Sequence, residues 1–267
     1  MQAVRGAAPG RAVPRSRFWR ATAVFTIATW LGAGALLALQ PVVRLDPQLL
    51  MLPQFGPSLG VLAVLALCRR GPGTAGHRPA PGIRAVLARC AVGAGVLGAM
   101  FALCLGALRL MGRPVHLTGP GSFAHPFWLI AVLQLIGACG EELGWRVFLQ
   151  PHLESRRSGP VAALVVGVLW GTWHVQYYAF GAAFVAAFLV MTVAISVIMS
   201  DLVRGVGAGG GALLVAGSFH WLMNLGTLTL LDCEKGSLVN MVILAGGSTA
   251  AATALHTLVG RYRRMSR

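Results

Sequence analysis

Apolar runs long enough to cross a bilayer alternate along this chain with short polar stretches. Eight such runs can be drawn, at about 21–39, 49–67, 90–108, 127–149, 160–178, 184–202, 212–231 and 238–258. A helix needs roughly 20 apolar residues to span the hydrocarbon layer, and these runs meet that length without the alternation of a barrel strand. The second contains Pro53 and Pro57, so it is expected to begin as a kinked or interfacial segment. The pattern predicts an all-α membrane protein of about eight transmembrane helices, with any active site inside the helical bundle. It divides the chain into a basic segment (1–20), a polytopic membrane domain (21–258) and a basic tail (259–267). No internal repeat is visible, which gives an inverted-repeat transporter no support.

Composition agrees. Of 267 residues 56% are hydrophobic and 11% charged, and the mean hydropathy is +0.72; a soluble globular domain is excluded. The net charge of +15 would suggest nucleic acid only if the basic residues formed one patch. They fall instead in clusters between the apolar runs, so no nucleic-acid partner is expected. Placed on the eight-span alternation, 18 of the 22 Lys and Arg residues fall on one side and four on the other, namely Arg44, Arg109, Arg113 and Lys235. The positive-inside rule then predicts a multi-pass plasma-membrane protein with both termini in the cytoplasm. Arg5 to Arg20 followed by an apolar run resembles a signal peptide. Residues 21–39 are too long for the usual hydrophobic region, and the run is expected to be a retained first span. Five dispersed cysteines, without metal-type spacing, predict packing roles rather than disulfides or a zinc knuckle.

Three of the spans hold polar groups. The fourth carries Glu141, Glu142 and Arg146, although the whole chain has only seven acidic residues. A charge near the centre of a membrane helix costs roughly 2.5–3.5 kcal/mol on insertion scales, so an ionisable cluster there marks a functional site by default. Glu142 and Arg146 are i,i+4 and are expected to pair on one face. Glu141 lies about 100° round the helix and can point elsewhere, with Gln134 two turns away on its face. The fifth span ends in W170-G-T-W-H174. The seventh carries His220 and Asn224, again i,i+4. Together these are the parts for hydrolysis by water: a carboxylate as general base, a histidine to share the proton, and a His–Asn pair for the oxyanion.

The order and spacing of these residues resemble a known family. E141-E142-L-G-W-R146, W170-G-T-W-H174 and H220-W-L-M-N224 are similar to the EExxxR, FxxxH and HxxxN signatures of the CAAX prenyl protease and bacteriocin-processing (CPBP, or Abi) intramembrane endopeptidases. The first and third agree fully; the second has Trp170 in place of the usual phenylalanine. The region of resemblance, about 127–231, covers some two-fifths of the chain. It implies a glutamate-dependent peptidase acting on membrane-associated peptides, with Glu141 and His174 activating water and His220 and Asn224 serving the oxyanion. Glu142 is carried over with them as a site residue and Arg146 as its support. No cofactor is implied, although two histidines and a glutamate from separate helices would also suit zinc. Alternatives are a catalytically silent protein of the same fold, acting in bacteriocin immunity or as a scaffold, a zinc-dependent version of the peptidase, and a proton-coupled transporter.

Other signals lead elsewhere. Gly56 to Gly60 fits GxSxG without the strand–turn–helix of a nucleophile elbow. Gly205 to Gly210 fits GxGxxG without a preceding strand and reads as an interhelical turn. Thr192, Ser196 and Ser200 recur every four residues, the mark of close helix packing. His77, His116, His125, His152 and His256 lie in loops or near span ends, and the sequence shows no partner for them.

Overall fold

The computed structural model describes residues 14–68, 82–115, 117–207, 209–231 and 235–265. They form an all-α bundle, with no strand among the described residues. Its helices are α1 (Arg15–Val42), α2 (Gly56–Leu67), α3 (Ile83–Leu110), α4 (Phe127–Glu142), α5 (Gln150–Glu154), α6 (Gly159–Trp173), α7 (Ala182–Val203), α8 (Gly210–Gly226) and α9 (Leu238–Met265). A π-helical turn, Leu143–Leu149, joins α4 to α5 into one rod. Among the described residues six helices are long and apolar enough to cross a membrane; Leu52–Leu67 and Gly159–Trp173 are shorter. Each of the eight apolar runs therefore has its rod. Residues 69–81 and the first 13 residues of the expected basic segment lie outside the described residues. The tail expected from 259 is still helix to Met265.

One element end differs from expectation. The fifth run leaves α-helix at Trp173. His174 adopts φ −78°, ψ 63°, and Val175–Phe180 forms a 3-10 turn. Nothing in the local sequence breaks the helix there. Tertiary packing supplies the reason: Tyr177 and Phe180 turn onto Phe184 of α7, and Tyr177 also meets Phe188. The second run begins as a 3-10 turn, Leu52–Phe55, as its prolines suggest, before α2 starts at Gly56.

That short segment sits directly against the rod of α4 and the π turn because the rod carries glycine where the segment passes. A Cβ on Gly140 would come 2.8 Å from the Phe55 ring, and one on Gly144 would come 2.8 Å from the Pro57 carbonyl. Gly137 leaves room for the Gln54 amide. On the other side of the segment, Gly56 and Gly60 bring α2 against the α1 backbone at Thr29 and Phe25. Ser58 of the GxSxG stretch donates a hydrogen bond to the Gly140 carbonyl, 2.6 Å away. The serine is thus spent on a carbonyl just before the π turn, whose wider winding displaces the regular ladder. The small-residue stripe of α7 packs as expected. Ser196 donates to the Ala163 carbonyl at 2.7 Å, and Gly167 of α6 admits the α7 backbone. Gly205, Gly207 and Gly209 all have positive φ in the turn between α7 and α8, as the GxGxxG stretch suggests.

Candidate active site

The rod Phe127–Glu154 carries Glu141 at its midpoint, and the two adjacent carboxylates part company there. Glu141 faces a cavity of about 450 Å³. Glu142 is wholly buried and does not line it. The same cavity is lined by His174 at the end of α6, by His220 and Asn224 of α8, and by Gln134 one face-repeat earlier on α4. Residues more than 80 positions apart in sequence therefore meet around one space.

Hydrogen bonds set the orientation of each group. Glu141 Oε2 accepts the indole N–H of Trp170 at 2.7 Å, and Gln54 lines the same cavity. His174 Nδ1 lies 2.8 Å from the Trp170 carbonyl. A carbonyl only accepts, so Nδ1 carries the proton and Nε2 is left as the basic atom. His220 Nδ1 lies 2.9 Å from Glu142 Oε1, which fixes that ring in turn. Asn224 Nδ2 donates to Gln134 Oε1 at 3.3 Å and keeps a second N–H.

Behind the site, Glu142 and Arg146 form the expected i,i+4 pair, with Nε 3.6 Å from Oε2 and both side chains fully buried. Arg146 also reaches Met199 of α7 at 3.2 Å and lies 5.1 Å from the Trp170 ring centroid. One buried cation thus ties α4, α6 and α7 together, with the cation–π contact adding to the ion pair. Among the described residues no group of three His, Cys, Asp or Glu side chains has an arrangement that could hold a metal ion.

Sequence reading missed three features of the site. Trp170, where the family has phenylalanine, is more than an aromatic wall, since its N–H bonds the acid that faces the cavity. The signal was present in the residue type but lacked a partner. Gln54 enters from the 3-10 turn before α2, which no motif marks. The histidines without visible partners have them, apart from His77 and His116, which lie outside the described residues. His125 meets Asp46 at 2.8 Å, His152 stacks on Phe18 at 4.4 Å between ring centroids, and His256 meets Asp201 at 2.7 Å. The cysteines Cys68, Cys90, Cys104 and Cys139 are free, in line with packing roles.

The Asp46–His125 pair fastens the loop between α1 and the 3-10 turn over the cavity. Pro47, Gln48 and Met51 of this loop line the cavity, and Gln134 reaches the Gln48 carbonyl at 3.3 Å. The Gln48 backbone N–H and His125 hold the Asp46 carboxyl below its ordinary value of 3.8. A lowered folded-state value means that the contribution is complete above the ordinary aspartate range and is lost as pH falls through the lowered value. Asp46→Asn should therefore lower the thermal midpoint slightly at pH 7. The gap from the parent protein should close as the pH is taken below about 3.9, in parallel melts of the two proteins.

Residues 123–226 match the family model described as type II CAAX prenyl endopeptidase Rce1-like. Among curated proteins the chain is similar to lysostaphin resistance protein A of Staphylococcus aureus, in strains bovine RF122 / ET3-1, Newman and USA300. The identity is 27% over 120 residues, which is 45% of this chain and 28% of each relative's length. The resemblance carried by the three motifs is borne out over this segment. It supports an intramembrane peptidase or a related fold.

Proposed function

We propose that this chain, with its Rce1-like segment at 123–226, is an intramembrane endopeptidase that hydrolyses peptide bonds of membrane-associated substrates with water activated by Glu141. The observation that carries the reading is the cavity on which Glu141, His174, His220 and Asn224 converge from three parts of the bundle. Glu141, held through Oε2 by Trp170, has Oε1 free to take a proton from water. His174 Nε2 serves as the second acceptor for that water. The water oxygen adds to the scissile carbonyl carbon, and the carbonyl oxygen gathers negative charge. Asn224 Nδ2 donates to that oxygen, joined by His220 Nε2 when both nitrogens of its ring carry protons. Collapse breaks the C–N bond, and the proton held by Glu141 passes to the leaving amine. Glu142 holds the His220 ring, and Arg146 holds Glu142. Around this core we place a multi-pass protein of the plasma membrane with both termini cytoplasmic, divided at about residues 20 and 258 as the hydropathy pattern suggests.

The test is cleavage of membrane-anchored peptides by the purified protein, with and without chelator. Asn224→Ala should lower turnover by about 10²–10³-fold, the usual loss on removing an oxyanion donor. Full inhibition by chelator, reversed by zinc, would turn Glu141 and the two histidines into metal ligands. No cleavage of any membrane-anchored peptide, by protein that is folded and inserted, would leave the scaffold reading.

A further inference from the structure

The cavity lies to one side of its acid. Along α1 it touches Trp30, Ala33, Gly34 and Leu37, all in the half of that helix distant from its N-terminus. On α8 it includes His220 and Asn224, again away from the helix start, with Leu228 just past the helix end, and it includes Pro47, Gln48 and Met51 of the loop beyond α1. At 1.5 Å per residue, Gly34 lies roughly 12 Å from the outer end of α1 and nearly 30 Å from its basic end.

The opposite half is closed by rings. Trp173 meets Trp145 at 6.2 Å between centroids, Trp145 meets Phe25 at 5.6 Å, and Phe25 meets Phe148 at 5.1 Å. Phe148 and Phe18 then sandwich His152 at 5.7 and 4.4 Å. Phe18, Phe25 and Trp145 are almost completely buried. This stack runs from the Arg-rich end of the bundle to the cavity floor. At the other end the lining residues are exposed. Trp30 on one side and Val175 and Phe180 on the other line the cavity yet stay about 40% exposed. A Cβ built on Gly34 meets nothing within 4 Å.

We infer that the site takes its substrate from the outer half of the membrane, through the gap between Trp30 and Gly34 of α1 and Val175–Phe180. The substrate class is a membrane-anchored chain whose scissile bond lies in or beside the outer leaflet. This rests on the peptidase reading above for its substrate and on the 18-to-four division of basic residues for its side. A lipidated C-terminus presented from the cytoplasm would meet the ring stack instead. Trp30, Phe180 and Leu37 give the passage an apolar lining suited to a chain arriving from lipid.

Sidedness is read without any cleavage. In a background with all five cysteines replaced by alanine, Gly34→Cys and Gln48→Cys should react with a membrane-impermeant maleimide added to intact cells. Arg156→Cys should react only in inside-out vesicles. Labelling of Gly34→Cys only in inside-out vesicles, or from neither side, overturns the inference even if the protein proves to be a peptidase. The second arm is cleavage of a fluorescent single-span peptide in proteoliposomes. Gly34→Trp should fill the gap and lower cleavage tenfold or more with the thermal midpoint unchanged. Undiminished cleavage by a folded Gly34→Trp protein overturns the lateral route. If no peptide is cut by the parent protein either, the peptidase reading has failed, and labelling alone decides the side.

Discussion

Glu141→Gln is expected to lower peptide cleavage by about 10²-fold or more while leaving the protein folded and inserted. Glutamine keeps the size of the side chain and can still accept the Trp170 N–H, so the loss isolates the proton acceptor. Trp170→Phe asks the complementary question. It restores the residue usual at this motif position, keeps a ring beside Arg146 and removes only the N–H donor. A hydrogen bond to a charged group is worth about 1.5–3 kcal/mol, which sets the expected fall in turnover at about 10- to 100-fold. Both are read as turnover of purified protein on a membrane-anchored peptide, with the thermal midpoint measured alongside. Near-normal cleavage by an inserted Glu141→Gln protein would end the glutamate mechanism.

Arg146→Ala is expected to destabilise the fold by about 3–5 kcal/mol, because it leaves Glu142 as a buried charge without its cation. It also removes the contacts with Met199 and the Trp170 ring, so three helices lose a shared anchor. The melting midpoint in detergent and the amount of protein in the membrane should both drop. Replacing both partners, as Glu142→Gln with Arg146→Met, should recover a good part of the loss, since a polar or apolar pair does not leave a lone charge in the interior. Normal stability with selectively lost turnover in Arg146→Ala would instead bring Arg146 into the reaction.

Much of this was legible in the chain because a membrane makes composition informative. A carboxylate in an apolar span stands out for the same reason that it is costly there. The i,i+4 spacing of Glu142 and Arg146 was enough to pair them, since neighbours on one helix face meet whatever surrounds the helix. The GxGxxG turn and the α7 packing stripe could also be read locally, from backbone freedom and residue size.

What helix geometry could not supply was absolute rotation. It separates Glu141 from Glu142 by about 100° but does not say which of the two meets the cavity. That was decided by the contact of the 52–58 segment with Gly137 and Gly140 of α4 and with Gly144 of the π turn that follows Glu142. The Trp170 bond to Glu141, the approach of Gln54, the Asp46–His125 clasp and the early end of α6 at Trp173 arose in the same way. By itself the sequence determined a membrane-embedded helical protein and the residue types of its site, because burial of charge and helix periodicity are properties of a local stretch. Only the tertiary structure decided which acid faces the cavity and what orients it, because those depend on partners tens of residues away brought together by packing.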